Sequence, residues 1–265
     1  YLTIRDCKIG SSAPTTGKAW FDGITRRDAF SGDFINVTGC DVQAAAYGIR
    51  IGIGNQQTLS ANHINAPTCI DVEGVDTSPS ELITISNNIL LAETGAKVAI
   101  NVEAVNNLTI SSNTIKAETC IHHRGDVSHA DGNYGLTIVG NSCFGVEIGI
   151  LIDGTIGDFR GVSITGNTMR GIASTTDSGI YLKSCTGATV SGNSLVNCNA
   201  IAAGGYIYFV DTKVSTVSGN SCLMTGTAPP AGKQGVHLHA ATATACNNNT
   251  ITGNNFTLGA DDDGG

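Results

Sequence analysis

The sequence is poor in charge, in proline and in aromatic residues. Charged residues make up 14% of its 265 positions, against roughly a quarter in an average soluble domain. Asp and Glu outnumber Lys and Arg by 22 to 14, which argues against the basic surface that binding to nucleic acid phosphates requires. No apolar run approaches the length of about 18 residues needed to span a membrane. With 41% hydrophobic residues, the composition predicts a folded chain with no nucleic acid partner and no membrane insertion.

The nine cysteines include no Cys-x-x-Cys pair, and their number is odd. Both features argue against a zinc ribbon and against a closed disulfide framework. Apolar residues follow some of them, as in Cys69-Ile70 and Cys120-Ile121, which predicts small buried thiols. Cys7 and Cys40 occupy equivalent repeat positions, and we expect stacked thiols there, with a disulfide under oxidation as the alternative.

A short pattern recurs along the chain: an apolar-polar-apolar triplet, two small or polar residues, and then Asn. Examples are Leu108-Thr-Ile-Ser-Ser-Asn113 and Val162-Ser-Ile-Thr-Gly-Asn167. Ten copies end at positions 7, 40, 62, 88, 113, 141, 167, 193, 220 and 254, with Cys in place of Asn in the first two. A repeat of about 25 residues is typical of solenoids, in which a unit buries its apolar face only by stacking on its neighbours.

A second motif of alternating apolar residues precedes most copies, as in Gly48-Ile-Arg-Ile-Gly52 and Gly149-Ile-Leu-Ile-Asp153. Period-two alternation predicts strands, and no stretch keeps the 3.6-residue period of a helix. The sequence therefore predicts an all-β parallel β-helix of about ten coils. Asn residues on successive coils would lie about 4.8 Å apart, within hydrogen-bonding reach of one another. Asn also accepts the left-handed backbone of a bend, so we expect the Asn column to be structural.

The repeated I-T/S-x-N pattern resembles that of right-handed parallel β-helix proteins of the pectate-lyase-like superfamily, especially bacteriophage tailspikes and related depolymerases. The resemblance covers residues 1–258 and implies a homotrimer that associates with other virion tail proteins and binds a bacterial surface polysaccharide. It also implies a place in the virion tail after assembly in the host cytoplasm, with a secreted protein as the alternative. The strand-like start at Tyr1 suggests a fragment of a longer chain, and residues 259–265 are expected to form a flexible acidic and glycine-rich tail.

The plant-wall branches of this superfamily fit poorly. The NTD, GHG and RIK signatures of polygalacturonases are missing, as are the WxDH and RxPxxR signatures of pectate lyases, and the adjacent aspartates Asp261 to Asp263 lie beyond the last coil. The site must therefore be inferred from columns of equivalent residues.

Aligning the second motifs places two columns of outward side chains side by side. The first contains Arg50, Asp71, Asn101, His122, Leu151, Tyr181, Tyr208 and His237, and the second contains Gly52, Glu73, Glu103, Arg124, Asp153, Lys183, Val210 and His239. Both columns are mostly polar or aromatic, which makes this face the candidate carbohydrate surface. The residues predicted to bind substrate are Asp71, His122, Arg124, Tyr181, Lys183, Tyr208 and Trp20; Trp20 either stacks on a sugar or caps the core.

Glycosidases need two carboxyl groups, about 5–5.5 Å apart for retention or 6.5–9.5 Å apart for inversion. Neighbouring coils supply the first separation, so we predict Glu73, Glu103 and Asp153 as catalytic carboxylates. Crowded carboxylates would raise one pKa, while Arg124 would keep a neighbour ionised. The alternative is a surface ladder of alternating charge. For a lyase, Arg124 or Lys183 would act as the base.

Three of the six histidines lie between 121 and 133: His122, His123 and His129. Together with Asp126 and Asp131 they offer metal ligands, but the spacing matches no metal-site template, so polar loop residues are favoured. No metal and no cofactor is predicted. The leading functional hypothesis is a tailspike that binds and depolymerises capsule or O-antigen. The alternatives are a non-enzymatic fibre or adhesin and a polysaccharide lyase or epimerase.

Overall fold

The computed structural model describes a solenoid of short parallel strands. The described residues are 1–10, 22–26, 34–52, 54–74, 80–92, 98–125, 133–155, 157–171, 173–174, 178–200, 205–223, 234–241 and 246–257. Trp20 and the predicted tail 259–265 lie outside these ranges. None of the described residues forms a helix long and apolar enough to cross a membrane.

One strand of each repeat enters a ten-stranded sheet, the first face, whose strands follow one another in chain order. Every pairing in it is parallel. The strands are Leu2–Arg5, Ile35–Thr38, Asn55–Ser60, Ser80–Ser86, Val105–Ser111, Thr137–Val139, Ser163–Thr165, Thr189–Ser191, Thr216–Ser218 and Thr250–Thr252.

A 17-stranded sheet forms the other two faces. Second-face strands are Lys8–Ile9, Asp41–Gln43, His63–Asn65, Ile89–Leu91, Thr168–Arg170, Ser194–Val196, Ser221–Leu223 and Asn255–Thr257. Third-face strands are Asp22–Arg26, Tyr47–Ile51, Thr68–Glu73, Val98–Glu103, Ile180–Lys183, Gly205–Val210 and Gln234–His239. Thr114–Arg124 and Ser142–Asp153 belong to both faces, and their register shifts between Ala117 and Thr119.

Two small parallel sheets complete the described strands. One contains Asn133–Tyr134, Phe159–Arg160 and Cys185–Thr186, and the other contains Ala173–Ser174 and Asn199–Ala200. The predicted all-β parallel β-helix is confirmed, while its right-handedness stays a prediction.

Aliphatic side chains stack along the interior because strand alternation points every second residue inward. On the third face, Ile49 pairs with Ile70, and the same inward position is Ile in the following coils through Ile207. All of these are buried. None of the nine cysteines, all within the described ranges, forms a disulfide, and most are buried. Burial raises the pKa of Cys69 and of Cys222 to about 12, which keeps these thiols protonated and unreactive.

The Asn column forms a continuous buried ladder. The Nδ2 group of Asn113 donates to Oδ1 of Asn141 at 2.9 Å, and Asn141 donates to Asn167 at 2.9 Å. Each backbone N–H also donates to the next amide oxygen, as Asn113 does to Asn141 at 3.0 Å. The ladder runs from Asn62 to Asn254, and the N–H of Cys40 joins its first member. The predicted structural role of these residues accords with this geometry.

Contrary to the prediction from the sequence, the ladder residues do not themselves adopt the left-handed conformation. The residue immediately before each ladder position does so. These residues are Asp6, Gly39, Ala61, Asn87, Ser112, Gly140, Gly166, Gly192, Gly219 and Gly253. Their positive φ bends the chain and leaves the next side chain pointing inward, where its amide can bond along the stack. Gly is frequent there because it adopts this conformation without steric cost.

Candidate functional site

The third face carries two straight outer rows of side chains, aligned by the strand register. Arg50 pairs with Asp71, Asp71 with Asn101, and the first row continues through His122, Leu151, Tyr181, Tyr208 and His237. The second row runs through Glu73, Glu103, Arg124, Asp153, Lys183, Val210 and His239. The columns that the sequence alignment predicts therefore exist, although Val210 is buried within its row.

An ionic cluster lies at the start of the rows. Arg50 forms an ion pair with Asp71, with Nε 3.0 Å from Oδ2, and a second ion pair with Glu73. The guanidinium also lies over the ring of Tyr47, 4.3 Å from its centroid, a cation–π geometry. Asn101 donates a hydrogen bond of 2.8 Å to Asp71 Oδ1. Arg50 is thus held from three sides.

Asp71 is the most perturbed carboxyl group of this cluster. Its side chain is 1% exposed, and its two carboxylate oxygens contact Arg50 and Asn101. Burial raises the pKa of Asp71 to about 6, with the Glu73 carboxylate adding to the increase and the Asn101 hydrogen bond and Arg50 charge opposing it. The raised pKa therefore occurs at Asp71, a predicted substrate-binding residue, and burial is its main cause.

Glu103 and Asp153, two of the three predicted catalytic carboxylates, also accept hydrogen bonds. Arg124 donates a hydrogen bond of 2.5 Å to Glu103, so Arg124 bridges towards the acid one coil before it. Asp153 accepts hydrogen bonds from the backbone N–H of Thr155 at 3.0 Å and from its hydroxyl. Partial burial raises the pKa of Asp153, but these bonds together with the Lys183 charge outweigh it, so the pKa lies below its ordinary value.

The register sets the spacing of these acids. Glu73 and Glu103 are on adjacent coils, and Glu103 and Asp153 are two coils apart with Arg124 between them. Adjacent parallel strands lie about 4.8 Å apart. The three predicted carboxylates are therefore brought onto one row, in the order that the sequence predicts.

His122 and His123 point to opposite sides of their strand. His122 is half-buried on the outer row, where burial lowers its pKa. His123 is completely buried against Phe159, with ring centroids 4.7 Å apart. Burial lowers the pKa of His123 to about 3. The two rings cannot join one metal site, and the remaining members of the predicted cluster, Asp126, His129 and Asp131, lie outside the described residues.

Aromatic rings stack at the far end of the first row. Tyr181 and Tyr208 have ring centroids 5.0 Å apart with planes 16° apart. His237 continues the stack at 4.7 Å and 21° from Tyr208, and His239 meets Tyr208 edge-on at 6.2 Å. The half-buried rings of Tyr181, Tyr208 and His237 form a face-to-face stack, the aromatic strip, along three consecutive coils.

Sequence reasoning omitted Arg50 and His237 from the predicted site, although both stood in the aligned first row. Arg50 holds two acids at once, and His237 extends the aromatic strip. The only sequence signal for these two residues was their position in the aligned row. A lone Arg or His at the end of a row does not reveal its ion pair or its ring contact until strands from different coils are superposed.

The fold and these rows define a parallel β-solenoid protein with a polar and aromatic outer face. A family model described as "Periplasmic copper-binding protein (NosD)" matches residues 121–262, more than half of the chain. The chain belongs to this family. No curated protein matches it.

Proposed function

We propose that the third face binds an extended bacterial surface polysaccharide, either capsule or O-antigen. The observation that carries the proposal is the stacked strip of Tyr181, Tyr208 and His237. The edges of the stacked rings offer an apolar ridge along which the C–H groups of a sugar chain can pack, while sugar hydroxyls bond to nearby polar groups. Lys183 and Asp153 stand beside the strip in the second row, so both kinds of contact are available to one chain of sugars.

We further propose that the bound chain is cleaved by carboxyl groups of the same face. Glu73, Glu103 and Asp153 are the candidate nucleophile or base, at the separations that their register allows. If the products were unsaturated, the reaction would be an elimination, and Arg124 or Lys183 would serve as the base.

The proposed setting is a trimeric phage tail fibre that meets the cell surface with other tail proteins. The parallel β-helix and the polar face support this setting. The alternative is a non-enzymatic adhesin, which would use the same binding face without cleaving the polysaccharide. The family description adds a periplasmic copper-binding protein as a different candidate. Among the described residues, no group of three or more His, Cys, Asp or Glu side chains could hold a metal ion, so this part of the chain does not fit copper.

The test is incubation of the protein with a panel of capsular and O-antigen polysaccharides, with binding, reducing ends and unsaturated sugars measured separately. We expect binding of a polysaccharide together with the appearance of new reducing ends. The triple variant Glu73→Gln, Glu103→Gln, Asp153→Asn should keep binding and lose cleavage. Binding without any product would leave the adhesin function, and no binding to any polysaccharide from a susceptible host would overturn the proposal.

A further inference from the structure

Two cysteines stand one above the other at the start of the Asn ladder, in the first two copies of the repeat. Lys8 pairs with Asp41, and the backbone N–H of Asp41 donates to the carbonyl oxygen of Cys7 at 2.8 Å, so Cys7 stands directly opposite Cys40. Adjacent parallel strands lie about 4.8 Å apart, and Cα atoms joined by a disulfide are usually about 4.4–6.8 Å apart. The backbone therefore places the two cysteines within reach of one disulfide.

The side chain of Cys40 is directed along the stack towards the first coil. Its Sγ atom lies 4.0 Å from the carbonyl oxygen of Ile4. One coil further on, the Nδ2 group of Asn62 donates at 3.0 Å to the carbonyl oxygen of Val37, the register partner of Ile4. The Cys40 thiol therefore occupies the place that an amide has in the ladder, facing the side chain of the neighbouring coil.

The two thiols contact each other but differ in exposure. Burial raises the pKa of the Cys40 thiol, a backbone hydrogen bond with Cys7 opposes this increase, and the charge of Cys7 and a side-chain hydrogen bond with it add to the increase. Both are free thiols; Cys7 is exposed, whereas Cys40 is 2% exposed. A reagent in solution therefore reaches Cys7, the accessible thiol, with Cys40 held beneath it.

Two other thiol sites of the chain provide internal contrasts. Cys120 and Cys143 also share a side-chain hydrogen bond, but both are buried. Cys246 is partly exposed, and its Sγ atom contacts the carbonyl oxygens of His239 at 3.1 Å and of Phe209 at 3.7 Å. The first site is a thiol pair without access from solution, and the second is an accessible thiol that rests on backbone carbonyls.

We propose that Cys7 and Cys40 form a reversible redox pair that exchanges with low-molecular-weight disulfides such as oxidised glutathione. The Cys7 thiolate attacks one sulfur of the external disulfide, which breaks the external S–S bond and releases one thiol. The Cys40 sulfur then gives up its proton and attacks the Cys7 sulfur, which forms the Cys7–Cys40 disulfide and releases the second thiol. The protein thiols lose two electrons and two protons, and the external disulfide gains them. This site does not depend on the function proposed for the third face.

The test treats the reduced full chain with oxidised glutathione, quenches the exchange with acid and counts the free thiols under denaturing conditions. We expect the chain to lose two of its nine thiols, and mass spectrometry of a digest to find Cys7 linked to Cys40. An excess of reduced glutathione should restore all nine. Cys40→Ser should stop at a glutathione adduct on Cys7, because the second attack is removed, and Cys7→Ser should form no internal disulfide.

Three results would overturn the proposal: survival of all nine thiols, a glutathione adduct of the wild type that never resolves to an internal disulfide, or a disulfide that joins Cys120 to Cys143 instead. Cys246→Ser, which removes a partly exposed thiol outside the pair, is the matched control and should behave as the wild type. Unchanged thermal unfolding of each reduced variant shows that it still folds. The digest of the wild type tests the link without any substitution.

Discussion

Two sets of polar side chains run across the coils of this protein, and they differ in how their hydrogen-bonding groups are used. In the Asn ladder each amide bonds to the next coil and to a backbone carbonyl, as Asn141 does to Asn167 and to Ile110. On the third face, buried polar atoms of several residues have no hydrogen-bond partner. They belong to His122, His123, Tyr206 and His237.

Buried polar groups that stabilise the fold therefore differ from those on the candidate site in whether they are hydrogen-bonded. A buried polar group without a partner costs stability, so a fold tolerates it only where another demand outweighs the cost. The ladder shows that this chain is able to satisfy every amide of a buried row. Of these residues, His122 and His237 stand on the outer row beside the ionic cluster and the aromatic strip, where a ligand would supply the missing partners.

The largest expected effect breaks the ladder. Asn141→Ala removes the acceptor for Asn113 and the donor to Asn167, and it leaves their buried groups unpaired. We expect a loss of about 3–5 kcal/mol in the free energy of unfolding, measured in urea. Asn65→Ala, on an exposed second-face position, is the control and should change stability by less than about 0.5 kcal/mol. A loss below about 1 kcal/mol for Asn141→Ala would contradict a structural ladder.

The next largest effect concerns His123, whose folded-state pKa of about 3 lies below the ordinary value of 6.5. The unfolded chain binds a proton first, so the stabilising contribution is complete above pH 6.5 and is lost as the pH falls towards 3. At 1.36 kcal/mol per pKa unit, this loss reaches about 5 kcal/mol once the histidine is fully protonated. His123→Leu should abolish this loss of stability at low pH, while His63→Gln, at an exposed position, should retain the loss. If His123→Leu lost as much stability at low pH as the wild type, His123 would not be the titrating group.

Asp71 should act with the opposite sign. Its folded-state pKa of about 6 lies above the ordinary 3.8, so its contribution is complete below pH 3.8 and is lost as the pH rises through 6. The difference in stability between the wild type and Asp71→Asn should change by roughly 2–3 kcal/mol across that window. Denaturant unfolding of the wild type and of Asp71→Asn at several pH values measures it. A difference that moves towards greater wild-type stability with rising pH would contradict the assignment.

The smallest effect tests the aromatic strip. Tyr208→Ala removes the central ring, which contacts both Tyr181 and His237. We expect about a tenfold loss in polysaccharide affinity, equivalent to about 1.4 kcal/mol. Leu151→Ala, in the same row but outside the stack, should have little effect on binding. Equal losses in the two variants would mean that the row, and not its rings, determines affinity.

Much of the site could be predicted from the sequence because the repeat fixes which residues become neighbours. The order Glu73, Glu103, Arg124, Asp153 follows from aligning the motifs, since each coil contributes one residue to each row. The pKa of Asp71 could not be predicted in this way. It depends on burial beneath Arg50 and on the direction of the Asn101 amide, which the alignment does not contain.

The sequence by itself determined the all-β solenoid, the spacing of its coils, the structural Asn column and the membership of the two outer rows. These follow from local alternation and from a repeated motif, and both are written in adjacent residues. Only the tertiary structure decided that the left-handed residue precedes each ladder Asn, that His123 faces the core and that Cys7 is exposed while Cys40 is buried. These properties arise where separate coils meet, and their energies depend on burial and distance that no single repeat specifies.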